Sequence, residues 1–146
     1  MNNKEPNYNN HNESKPAQKK RVLIIDDEPQ IGKIFGLKLK IAGFDVTATT
    51  SGAEGIEIIR NEKPDIVLLD ILMPEVTGFD VLDSVRKFSN VPIVVFTARP
   101  ETVRVALGLG ANDSITKPAD PDRVVDKIKE VLAVHIGNNT NVFCAN

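Results

Sequence analysis

The sequence has 146 residues, 41% of them hydrophobic and 26% charged, with a formal net charge of −2 at pH 7. That length carries one domain with a core of its own and is short for two. The near-balanced charge offers no strongly basic face, so no direct nucleic-acid binding is expected, and the small cluster Lys19-Lys20-Arg21 reads as solubilising.

Further exclusions follow from single features. Cys144 stands alone, which rules out an internal disulfide and a cysteine metal site. No apolar run approaches the roughly 18 to 20 residues that span a bilayer, and the polar start lacks a signal peptide's apolar stretch. The expectation is a cytoplasmic protein with no membrane insertion.

Residues 1–20 are Asn, Lys, Pro and Glu with almost nothing to bury, and read as a disordered N-terminal tail. Arg21 to Ile25 is a β-branched apolar run that ends in Asp26 and Asp27. Pro29 suits the first turn of a helix, where its missing N–H is harmless; Ile31, Ile34, Phe35, Leu37, Leu39 and Ile41 follow at helical spacing until Gly43 stops it. Phe44 to Thr49 reads as a second strand, and Ser51 caps a helix that Pro64 closes.

Asp65 to Asp70 is an apolar run closed by one carboxylate and then broken by Pro74. A run of this kind suits a parallel strand covered on both faces. A third helix carries Phe79, Val81, Leu82 and Val85. Val91 to Ala98 is another two-sided strand, with Thr97 where Asp70 stands on the strand before. Pro100 opens a fourth helix with Val103, Ala106, Leu107 and Leu109 facing inward and Gly108 and Gly110 weakening its end. Asp113 to Thr116 is a short fifth strand running into Lys117-Pro118, and the last helix, from Asp120 or Pro121, carries Val124, Val125, Ile128, Val131, Leu132 and Ile136. Residues 137–146 read as a polar, frayed C-terminal tail. The alternation predicts an α/β fold, one doubly wound five-stranded parallel sheet with helices on both faces over residues 21–136.

In such sheets ligands sit beyond the carboxyl ends of the strands, where this sequence places Asp26, Asp27, Asp70, Thr97 and Lys117. Two unit charges about 4 Å apart at an effective dielectric near 20 repel by roughly 4 kcal/mol, so clustered carboxylates call for a cation. All-oxygen ligands with room for water suit Mg²⁺, and Lys117 and Thr97 offer a point charge and a hydroxyl to further oxygens. The set is suited to holding a phosphoryl group beside a carboxylate. Each residue taken singly has a plainer reading: Asp26-Asp27 as a helix N-terminus, Thr97 as a strand end, Lys117 as a solvated lysine before a turn.

Asp26-Asp27, Asp70 with Met73-Pro74 and Gly78, Thr97-Ala98 and Lys117-Pro118, in this order on successive βα units, resemble the receiver domain of two-component response regulators over roughly Arg21 to Val134. The resemblance implies a flavodoxin-like strand order 2-1-3-4-5. It also implies that Asp70 accepts a phosphoryl group from a sensor histidine kinase or a histidine phosphotransfer protein. Mg²⁺ would be held by Asp26, Asp27, Asp70 and the Leu72 backbone carbonyl; Lys117 would pair with a phosphoryl oxygen, and Thr97 would swing toward it. A cis Lys117-Pro118 bond is implied too. The downstream target or output domain would lie outside this chain, and catalysis would be limited to the protein's own phosphorylation and dephosphorylation.

One place departs from the family pattern: Ser114 stands where an aromatic is common. This assigns more of the response to the fourth helix, and leaves open a phosphorylation-independent interaction module of the same fold. A Mg²⁺-dependent phosphohydrolase would place a second aspartate two positions after the nucleophile, where Leu72 stands.

Overall fold

In the computed structural model, residues 18–141 are described, with side chains through 137. The order is β1 (Arg21–Ile25), α1 (Pro29–Ile41), β2 (Asp45–Thr49), α2 (Gly52–Glu62), β3 (Ile66–Asp70), α3 (Gly78–Arg86), β4 (Ile93–Thr97), a single 3₁₀ turn (Pro100–Thr102), α4 (Val103–Gly108), β5 (Asp113–Thr116) and α5 (Pro121–Asn141). All strand pairs are parallel, in the order β2-β1-β3-β4-β5. The order reverses at β1, whose two neighbours are β2 and β3, so the crevice at the carboxyl ends of β1 and β3 is the topological switch point.

Strand side chains alternate between faces, and two cores result. Val22, Ile24, Ile66, Leu68, Val94 and Phe96 pack under α1 and α5 with Phe35, Leu39, Val124 and Ile128. Leu23, Ile25, Val67, Leu69, Ile93 and Val95 face the other side with Ile59, Val81, Leu82, Val85 and Ala106. Every residue of β3 and β4 is buried, as expected of strands covered on both faces. Asp70 is thus carried to the sheet's end by a run of fully buried aliphatic side chains.

Helix ends follow local chemistry. Pro29 occupies the first turn of α1, and Gly43 follows its end at φ 103. Ser51 accepts the Glu54 N–H at the start of α2, and Thr77 and Asp80 form a reciprocal capping box at the start of α3. Of the apolar residues that marked α1, Phe35 and Leu39 are buried, whereas Ile34, Leu37 and Ile41 are exposed. Two further expectations are corrected. Leu107 points outward from α4, which is only six residues long and buries Ala106. The last helix continues past Ile136 to Asn141, through the first half of the stretch expected to fray. Residues 1–17 of the expected leader and 142–146, with Cys144, lie outside the described residues. No helix among the described residues is long and apolar enough to cross a membrane.

One cation helps to close the lower half of the sheet. The Arg86 guanidinium donates from Nε and from one terminal nitrogen to the Gly110 carbonyl (3.0 and 2.9 Å), and also to the Ser89 carbonyl and Asn112 Oδ1 (3.1 Å each). Asn112 Oδ1 in turn accepts the Ile93 N–H at 2.9 Å. Burial pushes the Arg86 pKa down, and the Gly110, Ser89 and Asn112 oxygens that it meets are all neutral. Arg86→Met keeps the aliphatic stem and removes the fork. It is expected to cost about 2 kcal/mol of unfolding free energy, since several acceptors lose a charged donor. The check is the urea midpoint at constant m-value; a change below about 0.5 kcal/mol would show the clasp to be idle.

Candidate functional site

Four sequence-predicted side chains, Asp26, Asp27, Asp70 and Lys117, meet at the carboxyl end of the sheet, and a fifth, Thr97, ends the strand beside Asp70. Asp26 follows β1 directly and is 3% exposed; its backbone N–H donates to the Thr49 carbonyl (3.1 Å), and its Oδ1 accepts the Glu28 N–H (3.0 Å). Asp70, the last residue of β3, is 5% exposed, with Oδ1 accepting the Leu72 N–H at 3.3 Å. Asp27 is half-buried beside them. One carboxylate oxygen from each of Asp26, Asp27 and Asp70 lies within 4.8 Å of the others.

Lys117 closes the group from the far side. Its Nζ sits 2.9 Å from Asp26 Oδ2 and 3.6 Å from Asp70 Oδ2, and 4.9 Å from the centre of the Phe96 ring. Phe96 is itself held by an edge-on contact with Phe35, ring centres 5.2 Å apart. Burial works against the Lys117 charge, but the hydrogen bond to Asp26 and the charges of Asp26 and Asp70 prevail, and its pKa is raised. The Lys117-Pro118 peptide bond is cis.

Asp70 is the anomalous carboxyl. Burial first, then the Asp26 charge, push its pKa from an ordinary 3.8 up to about 7; Lys117 and the Leu72 N–H pull the other way without cancelling them. When all three acids are ionised, one ammonium leaves two negative charges uncompensated. A small divalent cation with oxygen ligands fits that surplus and that donor set. The acids sit at the switch-point crevice because β1 and β3 are neighbours in register, Ile25 opposite Leu69.

Thr97, fully buried at the end of β4, is in the same layer, with Asp70 paired to Phe96 just before it. Its hydroxyl is engaged in the following loop, by the Arg99 N–H at 3.1 Å and the Thr102 hydroxyl at 3.2 Å. Thr102 was not singled out from sequence, and one hydroxyl in a turn gives no pattern to find it by. Leu72 is 45% exposed, its backbone tied to the site through the Asp70 hydrogen bond. Ser114, on β5, is half-buried opposite Val95. Gly78 presses against the end of β3, its N–H donating to the Ile71 carbonyl at 2.9 Å.

A parallel doubly wound sheet with an acid cluster and a lysine at its switch point defines a small phosphoacceptor-type domain rather than a dinucleotide-binding one, since no glycine-rich turn follows β1. Residues 22–129 match the family described as the response regulator receiver domain, and the chain belongs to that family.

Named relatives agree. The chain is 39% identical to "Probable transcriptional regulator ycf27" of Porphyridium aerugineum, over 79% of this chain and 49% of that protein. It is 37% identical to "DNA-binding response regulator MtrA" of Mycolicibacterium smegmatis, over 80% of this chain and 52% of that one. Among solved structures, a CheY-like response regulator receiver domain protein from Methanospirillum hungatei superposes with a TM-score of 0.77 at 29% identity, covering 83% of this chain and 99% of that one. A Francisella response regulator receiver domain gives 0.74 at 26% identity, covering 80% and 98%.

The chain spans about half the length of the curated relatives it matches. This corrects the expectation that nucleic acid is no partner, because relatives sharing this domain are named as a DNA-binding response regulator and a transcriptional regulator. The charge balance that prompted the expectation counts only the residues of this chain. It carries no information about a protein twice as long.

Proposed function

We propose that Asp70 accepts a phosphoryl group from a phosphohistidine on a sensor histidine kinase or phosphotransfer protein, and that this changes the surface the domain offers to a target. The observation that supports it is the gathering of Asp26, Asp27 and Lys117 around the one carboxyl at the end of β3. An Asp70 oxygen attacks phosphorus; an O–P bond forms, the P–N bond breaks, and its electron pair returns to the imidazole.

Asp26, Asp27, Asp70 and the Leu72 carbonyl would hold Mg²⁺, which supplies charge neutralisation for the phosphoryl oxygens when bound. Lys117 waits within ion-pair distance of Asp70 and is placed to take a further phosphoryl oxygen. Catalysis of this kind is positioning and charge compensation, directed at the protein's own aspartate rather than at a released product. The response passes to a target or output domain, and the DNA-binding relatives make transcription its leading readout.

Acetyl phosphate with Mg²⁺ is the direct test. Intact-mass measurement is expected to show one phosphoryl adduct per chain, absent in Asp70→Asn and in wild type treated with chelator. An adduct that persists in Asp70→Asn would move the acceptor elsewhere, and steady release of phosphate from simple esters would favour a hydrolase.

A further inference from the structure

The Thr97 hydroxyl is fully engaged before any phosphoryl group arrives. Thr97 Oγ1 accepts the Arg99 N–H at 3.1 Å and lies 3.2 Å from Thr102 Oγ1, which itself lies 2.7 Å from the Arg99 carbonyl. The Thr102 N–H also donates to that carbonyl, at 3.0 Å, so the Arg99 to Thr102 turn is closed by backbone and side chain together. A hydroxyl has one proton to give. With the Thr102 proton on the nearer Arg99 oxygen, the Thr97 proton has Thr102 Oγ1 at 3.2 Å and the Arg99 carbonyl at 3.4 Å as its acceptors, both in the loop after β4.

We propose that Thr102 is a positioning residue that holds the Thr97 hydroxyl in the loop after β4 and thereby weakens capture of a phosphoryl group at Asp70. The inference rests on Asp70 being the phosphoacceptor. Thr97 is buried and cannot find water as a substitute partner, so turning toward Asp70 means giving up its partners in the loop, the Arg99 backbone and Thr102. Thr102 is half-buried on a single 3₁₀ turn, where an isosteric change is tolerated. Its neighbours on the following α4 are held by a helix of six residues with only Ala106 buried, so the loop has little to oppose its rearrangement.

Beryllofluoride with Mg²⁺ is the probe, titrated into wild type, Thr102→Val and Thr102→Ser and followed by the amide resonances of Thr97 and Arg99. Thr102→Val is expected to bind beryllofluoride about fivefold more tightly than wild type, the equivalent of one ordinary hydrogen bond of ~1 kcal/mol. Thr102→Ser, which keeps the hydroxyl, is expected to stay within about twofold of wild type. Binding of Mg²⁺ alone is expected to be equal in all three, since Thr102 touches none of the acids.

Equal beryllofluoride affinity in Thr102→Val and wild type would overturn the proposal, as would an equal gain in Thr102→Ser, which keeps the hydroxyl and would assign the effect to a general loosening of the turn. Thr102→Ala gives the same comparison should the valine variant fold poorly. A wild type that binds Mg²⁺ but not beryllofluoride would remove the phosphoacceptor reading itself, and this one with it.

Discussion

Asp70→Asn is expected to make the metal-free protein more stable near neutral pH, by about 2–4 kcal/mol, while abolishing its chemistry. Burial and the Asp26 charge raise the folded Asp70 carboxyl to about 7 from an ordinary 3.8. Between those values the folded protein keeps a proton that the unfolded chain has released. Stability from this group is therefore intact at acid pH, falls as pH rises through the window, and is lowest above about 7. Asparagine fills the same volume and never ionises.

The gap between variant and wild type should thus be small near pH 4 and largest near pH 8, measured by urea unfolding with chelator present. Adding Mg²⁺ should close much of it, because a ligand of the folded state stabilises wild type by mass action and loses a ligating oxygen in the variant. A gap of the same size at both pH values would show that the Asp70 charge is not the cause. The site is therefore built at the expense of stability, with a carboxyl held where only a cation or a phosphoryl group relieves it.

The parts of this arrangement that were legible in the sequence are those with a periodic or terminal signature. β3 and β4 could be read because both of their faces are apolar, and Asp70 and Thr97 because each ends such a run. Once the sheet is parallel, residues at strand ends must share one edge, so Asp26, Asp27 and Lys117 follow. The face of α1 could not be read the same way. Its close approach to β2 is marked by glycine: a Cβ on Gly32 would lie 3.0 Å from the Ala48 Cβ. The aliphatic Ile34, Leu37 and Ile41 are left outside, against the usual rule.

Other features had no pattern to betray them. α4 is too short for a helical period to fix which side Leu107 takes. Arg86 and Thr102 each bond a backbone carbonyl, which every residue possesses, and a side chain far off or in a turn, so neither leaves a periodic mark in the sequence. The Asn-rich composition after Ile136 argued for fraying, yet α5 runs on to Asn141.

Gly78→Ala is expected to destabilise the fold by about 3 kcal/mol and to weaken Mg²⁺ binding in the same step. A Cβ there would be 2.6 Å from the Ile71 Cα and 3.0 Å from the Asp70 carbonyl carbon, and closer still to the Asp70 oxygen. These are backbone atoms of the strand end, with no rotamer to escape into. Neither side can yield easily, because β3 is buried on both faces and the start of α3 is fixed by the Thr77 and Asp80 capping box. Whatever movement relieves the clash must displace Asp70, so stability and the site should fail together. Gly55 makes a useful contrast: a Cβ there meets the side chain of Ile25, which has rotamers to change, and Gly108→Ala, with nothing within 4 Å, is expected to be neutral or stabilising. Urea unfolding and Mg²⁺ titration of the three variants would settle the order. A Gly78→Ala protein with wild-type stability and Mg²⁺ affinity would mean that the α3 entry adapts freely, and that the position of Asp70 is not set by the glycine that backs it.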